Sequence, residues 1–355
     1  MVDERGRIGK GGCGVTPMDG KHKDRGRSPA GRLATAWRGL VPLGVASFVA
    51  LAIGGGVDLV HDQQRASKKE RSAKPAAEQD RAPRYVVGIR KNGTALVVRD
   101  VRTGRDVGLP VAAPQSQRFQ RVAAAGEKEY IVSAFASGKV GFQRLRLKDD
   151  GRPSELSPVH GATVPGASTA WSDMAVTADG DKIAYVTYQP GAIGRLDVFS
   201  IGTAQHKVWT ASVPARVSSL SWAGSTLSFV WAPVKKVNGR TVRQVRALET
   251  SAPAGDLKVS RPVLVLPPGS VSAVLGPDGR TVVASAPQGG DIAVQTYTIG
   301  SSRPRVLWKQ PANGRPTRLD ADHTGNHLLV LANDGKLYID GAQPVQAEDF
   351  LDAAW

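Results

Sequence analysis

The chain has 355 residues, 41% of them hydrophobic, with 40 Gly, 23 Pro and a formal net charge of +16. That length allows one large domain or two ordinary ones, and the hydrophobic share permits a proper core. Cys13 is the only cysteine, which excludes an intramolecular disulfide and leaves the redox compartment undetermined by pairing.

The charge is uneven. Residues 1–38 carry +5, residues 58–84 carry +2 and residues 85–355 carry +9. The first segment, 1–38, is polar, Gly-rich and without apolar periodicity, so it reads as a disordered basic head on the cytoplasmic side. Its stretch from Gly9 to Gly14 matches G-x-G-x-x-G literally, but no strand precedes it and no helix comes after it, so the dinucleotide-binding reading lacks its context. Met1 and Met18 are both available as starts; the second would leave a 21-residue head.

GLVPLGVASFVALAIGGGV (39–57) is the one long charge-free apolar run, closed by Arg38 and Asp58. As a helix it would be about 28 Å long, close to the hydrocarbon thickness of a bilayer. A buried core helix would carry more polar residues, and a cleaved leader has a shorter apolar core after a shorter head. The expectation is a single uncleaved transmembrane helix over 39–60, with Trp37 and Arg38 at the membrane interface. The flanking basic residues are nearly balanced: Arg25, Arg27, Arg32 and Arg38 before, Arg65, Lys68, Lys69, Arg71 and Lys74 after. Orientation therefore rests on the habit of a lone N-terminal anchor to export the chain beyond it, placing the body outside the cell. Residues 61–84 are charged and have no core face; they read as a linker, with Lys68, Lys69 and Arg71 able to meet anionic headgroups.

Residues 85–355 are dominated by strand signals: YVVGI (85–89), ALVVRDV (95–101), EYIVSAF (129–135), KIAYVTY (182–188), RLDVFSI (195–201), TLSFVW (226–231), TVVASA (281–286), IAVQTYTI (292–299) and HLLVLA (327–332). No segment there has a convincing helical period. A unit recurs with turns at Gly126, Gly180, Gly224, Gly279 and Gly325, spaced 54, 44, 55 and 46 residues apart. Four strands in roughly 50 residues is the signature of a β-propeller blade. The segment 85–111 supplies three strands and lacks an innermost one, while 349–355 supplies a single strand at the other end. An open sheet edge is a liability that closure removes. The strand ledger therefore predicts an all-β, six-bladed propeller in which 349–355 completes the blade begun at Tyr85.

TADGDKIAYV (177–186), GPDGRTVVAS (276–285) and the D-x-x-T-G turn of ALVVRDVRTGR (95–105) resemble the hairpins of WD40-like propellers of the TolB type. The layout of basic head, span and propeller is similar to that of membrane-anchored propeller proteins of high-GC Gram-positive bacteria, an uncharacterised group. The resemblance implies a fold over residues 83–355 and is nearly silent on function. No WD dipeptide stands where a strict WD40 repeat would place it.

No motif carries chemistry. His323 and His327 flank the Gly325 turn without metal-ligand spacing, and Asp320 to Gly325 begins like a calcium loop but Leu331 stands where its twelfth-position acid belongs. There is no G-x-S-x-G elbow, and Ser218, Ser219, Ser221, Ser270 and Ser272 have no recognisable base. Asp179 and Asp278 read as self-capping turn residues. Trp171, Trp222, Trp231, Trp308 and Trp355 read as packing residues. No catalytic, metal-binding or cofactor-binding residue is assigned.

The long loop APVKKVNGRTVR (232–243) holds Lys235, Lys236, Arg240 and Arg243, which read as a patch for an anionic partner: a cell-envelope polymer, a lipid headgroup or an acidic protein surface. With the body outside, nucleic acid is not expected, and no aromatic interleaving supports it. The functional expectation is a non-catalytic, membrane-tethered, extracytoplasmic interaction or sensing module. The alternatives are an extracytoplasmic enzyme with its site in the propeller channel and a transmembrane regulator of signalling. Oligomeric state is left open.

Overall fold

The computed structural model describes residues 82–236, 239–301 and 303–355. The basic head, the span 39–60 with Trp37 and Arg38, and nearly all of the linker lie outside the described residues. No helix among the described residues is long and apolar enough to cross a membrane.

Six antiparallel sheets succeed one another along the chain and make a six-bladed propeller. The sheets are blades 1 to 6, with strands a to d from the channel outward. Blade 2 runs Arg118–Ala124, Glu129–Ala136, Lys139–Leu147 and Pro153–Pro165. Blade 3 runs Met174–Val176, Lys182–Gln189, Ile193–Ser200 and Gln205–Thr210. Blade 4 runs Ala215–Ala223, Thr226–Pro233, Gln244–Glu249 and Arg261–Val265. Blade 5 runs Ser272–Leu275, Thr281–Gln288, Asp291–Thr298 and Arg305–Pro311. Blade 6 runs Pro316–Ala321, Leu328–Ala332, Lys336–Ile339 and Val345–Gln346.

Blade 1 joins the two ends of the body. Its strands b and c are Tyr85–Arg90 and Ala95–Asp100, and its strand a is Phe350–Ala354, pairing Val87 with Ala354 and Gly88 with Ala353. The closing strand is where the strand ledger puts it. Ion pairs reinforce it: Asp349 receives both Arg90 and Arg99, and the Arg99 guanidinium lies 4.4 Å from the Phe350 ring centroid. Gly88 is required here, since a Cβ would stand 2.5 Å from the Phe350 ring.

The second strand of each blade is the most apolar, and burial explains why. There is no single central core. Six clusters of buried side chains fill the six spaces between neighbouring blades. Trp209 and Phe229, for example, meet between blades 3 and 4, and Phe142, Tyr185 and Phe199 between blades 2 and 3. A strand sandwiched between two such clusters is buried on both faces, so it reads as a continuous apolar run rather than an alternating one.

The turns behave as their composition requires. Gly180 and Gly279 have φ of +71° and +63°, open to glycine without a Cβ penalty. Asp179 accepts from the Thr177 hydroxyl and the Asp181 amide, and Asp278 from the Thr281 hydroxyl and the amides of Arg280 and Thr281. These hydrogen bonds hold both carboxyls below the usual range. One strap has no counterpart in the repeat. Gly255–Asp256, from the connection between strands c and d of blade 4, pairs in parallel with the outer edge of blade 3 at Trp209–Thr210.

Candidate functional site

Neighbouring blades lie too far apart at the channel for strand-to-strand ladders, so the backbone amides of the inner strands need other acceptors. Side chains from the preceding blade provide them. Asp320 of blade 6 accepts from Trp355 N at 3.2 Å, and Asp352 of blade 1 from Val122 N at 2.9 Å. Asp173, just before strand a of blade 3, accepts from Leu220 N at 3.1 Å. Ser219 Oγ and Ser221 Oγ of blade 4 accept from Ala273 N and Leu275 N. Between blades 2 and 3 the polarity is reversed: Arg121 donates to the carbonyls of Ser172 and Ala170 at 2.6 and 2.9 Å.

Arg318 sits among these acids. Its Nη1 lies 2.9 Å from Asp352 and 3.1 Å from Asp173, and its Nη2 donates to Val122 O. Asp320 is half-buried between the blades and lines the cleft at the channel. Burial dominates over the nearby Arg318 charge and pushes its carboxyl up to about 6. Burial likewise raises Asp352, against the pull of Arg318.

Bulges set these side chains in place. The inner strands of blades 1, 2, 4 and 6 each break register near the channel mouth, beside Leu351, Gln120, Ser219 and Thr317. A bulge re-aims the residues beyond it. Ser219 takes φ +54°, a conformation that non-glycine residues adopt seldom, and its hydroxyl is thereby delivered to Ala273.

At that mouth lies a cleft of roughly 470 Å³. Its lining includes Arg121, Arg216, Arg243, Arg315 and Arg318, against only three acids, Asp173, Asp320 and Asp352. The acids are all in the depth, around Arg318. The side chains of Arg216, Arg243 and Arg315 make no hydrogen bond or ion pair among the described residues. Arg216 lies with its guanidinium 4.3 Å from the centroid of Trp171, whose ring meets Tyr188 edge-on at 5.8 Å. Partial burial draws Arg216 below the ordinary arginine range, and the charge of Arg243 acts in the same direction.

The loop that begins at Ala232 and ends at Arg243 springs from this mouth. Arg243 is half-buried and lines the cleft; Lys235, Lys236 and Arg240 are exposed on the loop beyond it. Four of the five tryptophans pack as expected, with Trp308 and Trp355 buried. Trp171 departs from its expected packing role: it is 37% exposed and serves as the platform for Arg216. His327 holds Asp322 at 3.1 Å across the Gly325 turn, and His206 holds Asp197 at 2.7 Å on the flank of blade 3. A larger cleft, about 730 Å³, opens at the opposite end between blades 1, 2 and 6. Two of its cations are paired, Lys128 with Asp149 and Arg84 with Asp100.

No family model matches the chain, and no curated protein matches it. Among solved structures it is similar to TolB from Acinetobacter baumannii, with 12% identity, coverage of 76% of this chain and 66% of that one, and a TM-score of 0.46. It is also similar to a functionally unknown protein from Desulfotomaculum acetoxidans (11% identity, 75% and 96% coverage, TM-score 0.48). A third is the periplasmic gluconolactonase of Pseudomonas aeruginosa (16% identity, 74% and 81% coverage, TM-score 0.44). The chain spans about two thirds of the length of the Acinetobacter TolB. These likenesses concern the β-propeller fold alone.

Proposed function

We propose that the protein is a non-catalytic binding module, tethered to the membrane by residues 39–60, whose propeller faces outward and receives its partner at the arginine-lined mouth of the channel. The observation that carries this reading is the division of labour at that mouth. Each acid in the depth already serves a backbone amide of the neighbouring blade, and two of them also hold Arg318. The guanidiniums of Arg216, Arg243 and Arg315 make no hydrogen bond or ion pair among the described residues, and Arg216 only lies over the Trp171 ring. Cations without partners attract anionic surfaces and steer their approach. The exposed Lys235, Lys236 and Arg240 extend the same sign of charge outward from the rim. The apolar run 39–57 supports the tether, and its place ahead of the propeller supports the outward orientation.

Photo-crosslinking in intact cells tests the reading. A crosslinking residue in place of Thr317, at the mouth, is expected to trap a partner, and one in place of Asn326, at the opposite end, is expected to trap none. Crosslinks confined to Asn326 would overturn it. Protease added to intact cells is expected to digest the propeller; complete protection would remove the outward orientation.

One observation favours a second reading, an enzyme with its site in the channel. Asp320 lines the cleft, and burial raises its carboxyl to about 6, suited to moving a proton near neutral pH. Substituting Asp320→Asn would abolish turnover of a substrate found by screening in that case, and would leave binding at the mouth intact if the first reading holds.

A further inference from the structure

Two rim arginines of blade 4, the exposed Arg216 and the half-buried Arg243, stand in one row. Arg216 on strand a is directly opposite Ala232 on strand b. On the other side of strand b, Gln244 is opposite Trp231, which brings Arg243 level with Ala232. Residues directly opposite one another across antiparallel strands share a face of the sheet. Arg216 and Arg243 therefore project from the same face, two strand spacings or about 10 Å apart at their Cα atoms. Both line the same cleft.

Two like charges on one face repel, and neither has a carboxylate to relieve it among the described residues. The arrangement is nonetheless held in place. Trp171 carries the Arg216 guanidinium at 4.3 Å, and Tyr188 braces Trp171 from the side. Tyr188 is itself fixed by accepting from Val217 N and donating to Val217 O, both at 3.0 Å. A pre-positioned pair of planar forks with unused N–H groups is complementary to an oxyanion. Two further donors on the wall of the cleft are buried and unpartnered: the Ser272 hydroxyl, on a residue only 3% exposed, and Arg318 Nε. A carboxylate carries one negative charge against two unpaired guanidiniums. A phosphomonoester carries nearly two, on three acceptor oxygens, so it balances both forks and leaves an acceptor for a further donor.

We infer that the channel mouth binds a phosphoester anion, clamped between Arg216 and Arg243 with Trp171 positioning the first of them. This rests on the reading of the mouth as a binding surface and adds the chemistry of the bound group. The phosphoester can come from a soluble or polymeric phosphate ester or from the headgroup of a phospholipid.

The test uses the full-length protein. One arm titrates glycerol 1-phosphate and inorganic phosphate by calorimetry. The other measures sedimentation with phosphatidylglycerol vesicles against phosphatidylcholine vesicles. Saturable binding is expected in at least one arm, and the arm in which it occurs identifies the source. Arg216→Ala and Arg243→Ala are each expected to weaken it about tenfold, the worth of one charge-assisted contact. Arg216→Lys is expected to weaken it nearly as much, because an ammonium keeps the charge but loses the fork and the flat stacking face. Arg243→Ala should leave the melting temperature unchanged, since that side chain has no hydrogen-bond or ion-pair partner to lose, and the Arg216 variants, which lose only the contact with Trp171, should lower it by no more than about 3 °C. Absence of saturable binding in both arms overturns the inference, as does binding that survives both alanine substitutions unchanged. Failure here together with crosslinks at Thr317 would remove the phosphoester and leave the binding mouth standing.

Discussion

Replacing Arg318 by Met tests whether the channel acids are as desolvated as their surroundings imply. The substitution keeps most of the side-chain volume and removes the one cation shared by Asp352, at 2.9 Å, and Asp173, at 3.1 Å. Both acids are buried, at 2% and 9% exposure, so each would keep only its backbone donors. Breaking a buried pair by deleting one partner costs about 3–5 kcal/mol. In a domain of this size that lowers the melting temperature by about 10 °C. The sign of the pH dependence comes from Asp320 and Asp352, whose carboxyls burial already raises while Arg318 pulls them down. Without Arg318 they rise further. An acid with a raised folded-state pKa favours the fold while protonated and loses that contribution as pH climbs through the folded value. The deficit of the variant should therefore be largest above about pH 7 and should narrow towards about pH 5. Scanning calorimetry of wild type and variant across that range reads it directly. A deficit under about 1 kcal/mol, or one that is the same at both ends, would refute the reasoning, because it would mean that water already screens these carboxylates.

Asp320→Asn should flatten the pH profile of stability: between about pH 4 and pH 7 the wild type loses up to about 3 kcal/mol that the variant keeps, in line with the shift of that carboxyl to about 6, as chemical denaturation at the two pH values would show. Deleting residues 349–355 should destabilise every blade together, and a truncated chain with an unchanged melting temperature would mean the ring does not depend on its closing strand. Gly88→Ala should cost about 1–3 kcal/mol by driving a methyl into the Phe350 ring, and Phe350→Leu in the same chain should recover part of it, measured as a coupling in a double-mutant cycle.

The fold is readable because propeller strands leave local marks. Strand b of each blade is a doubly buried apolar run, and the turn before it needs glycine at positive φ, so Gly126, Gly180, Gly224, Gly279 and Gly325 announce themselves. Closure is readable by counting, since one blade lacks an inner strand and the last residues have no blade of their own. The mouth is not readable in the same way. Asp173, Asp320 and Asp352 come from three blades and act on strands of their neighbours, so no linear spacing links them. A trace does exist: Leu319-Asp320-Ala321 and Leu351-Asp352-Ala353 repeat the same triplet at the same place in the unit, and Ser172-Asp173-Met174 is a variant of it. The loop 232–243 stands out through its charge, but the structure brings only Arg243 of its four basic residues to the cleft and sets it level with Arg216 from the inner strand. Trp171 departs from the packing expectation because a lone tryptophan carries no sequence mark of the guanidinium that will lie on it.

The closing strand has a temporal consequence. The bridge from Arg90 to Asp349 joins residues 259 positions apart, so the first blade stays incomplete until residues 349–355 return to it. Contacts of such separation are entropically expensive and form late. The hairpins of the other blades can therefore form before the ring is sealed, and the return of residues 349–355 to Tyr85–Arg90 decides when it becomes a ring.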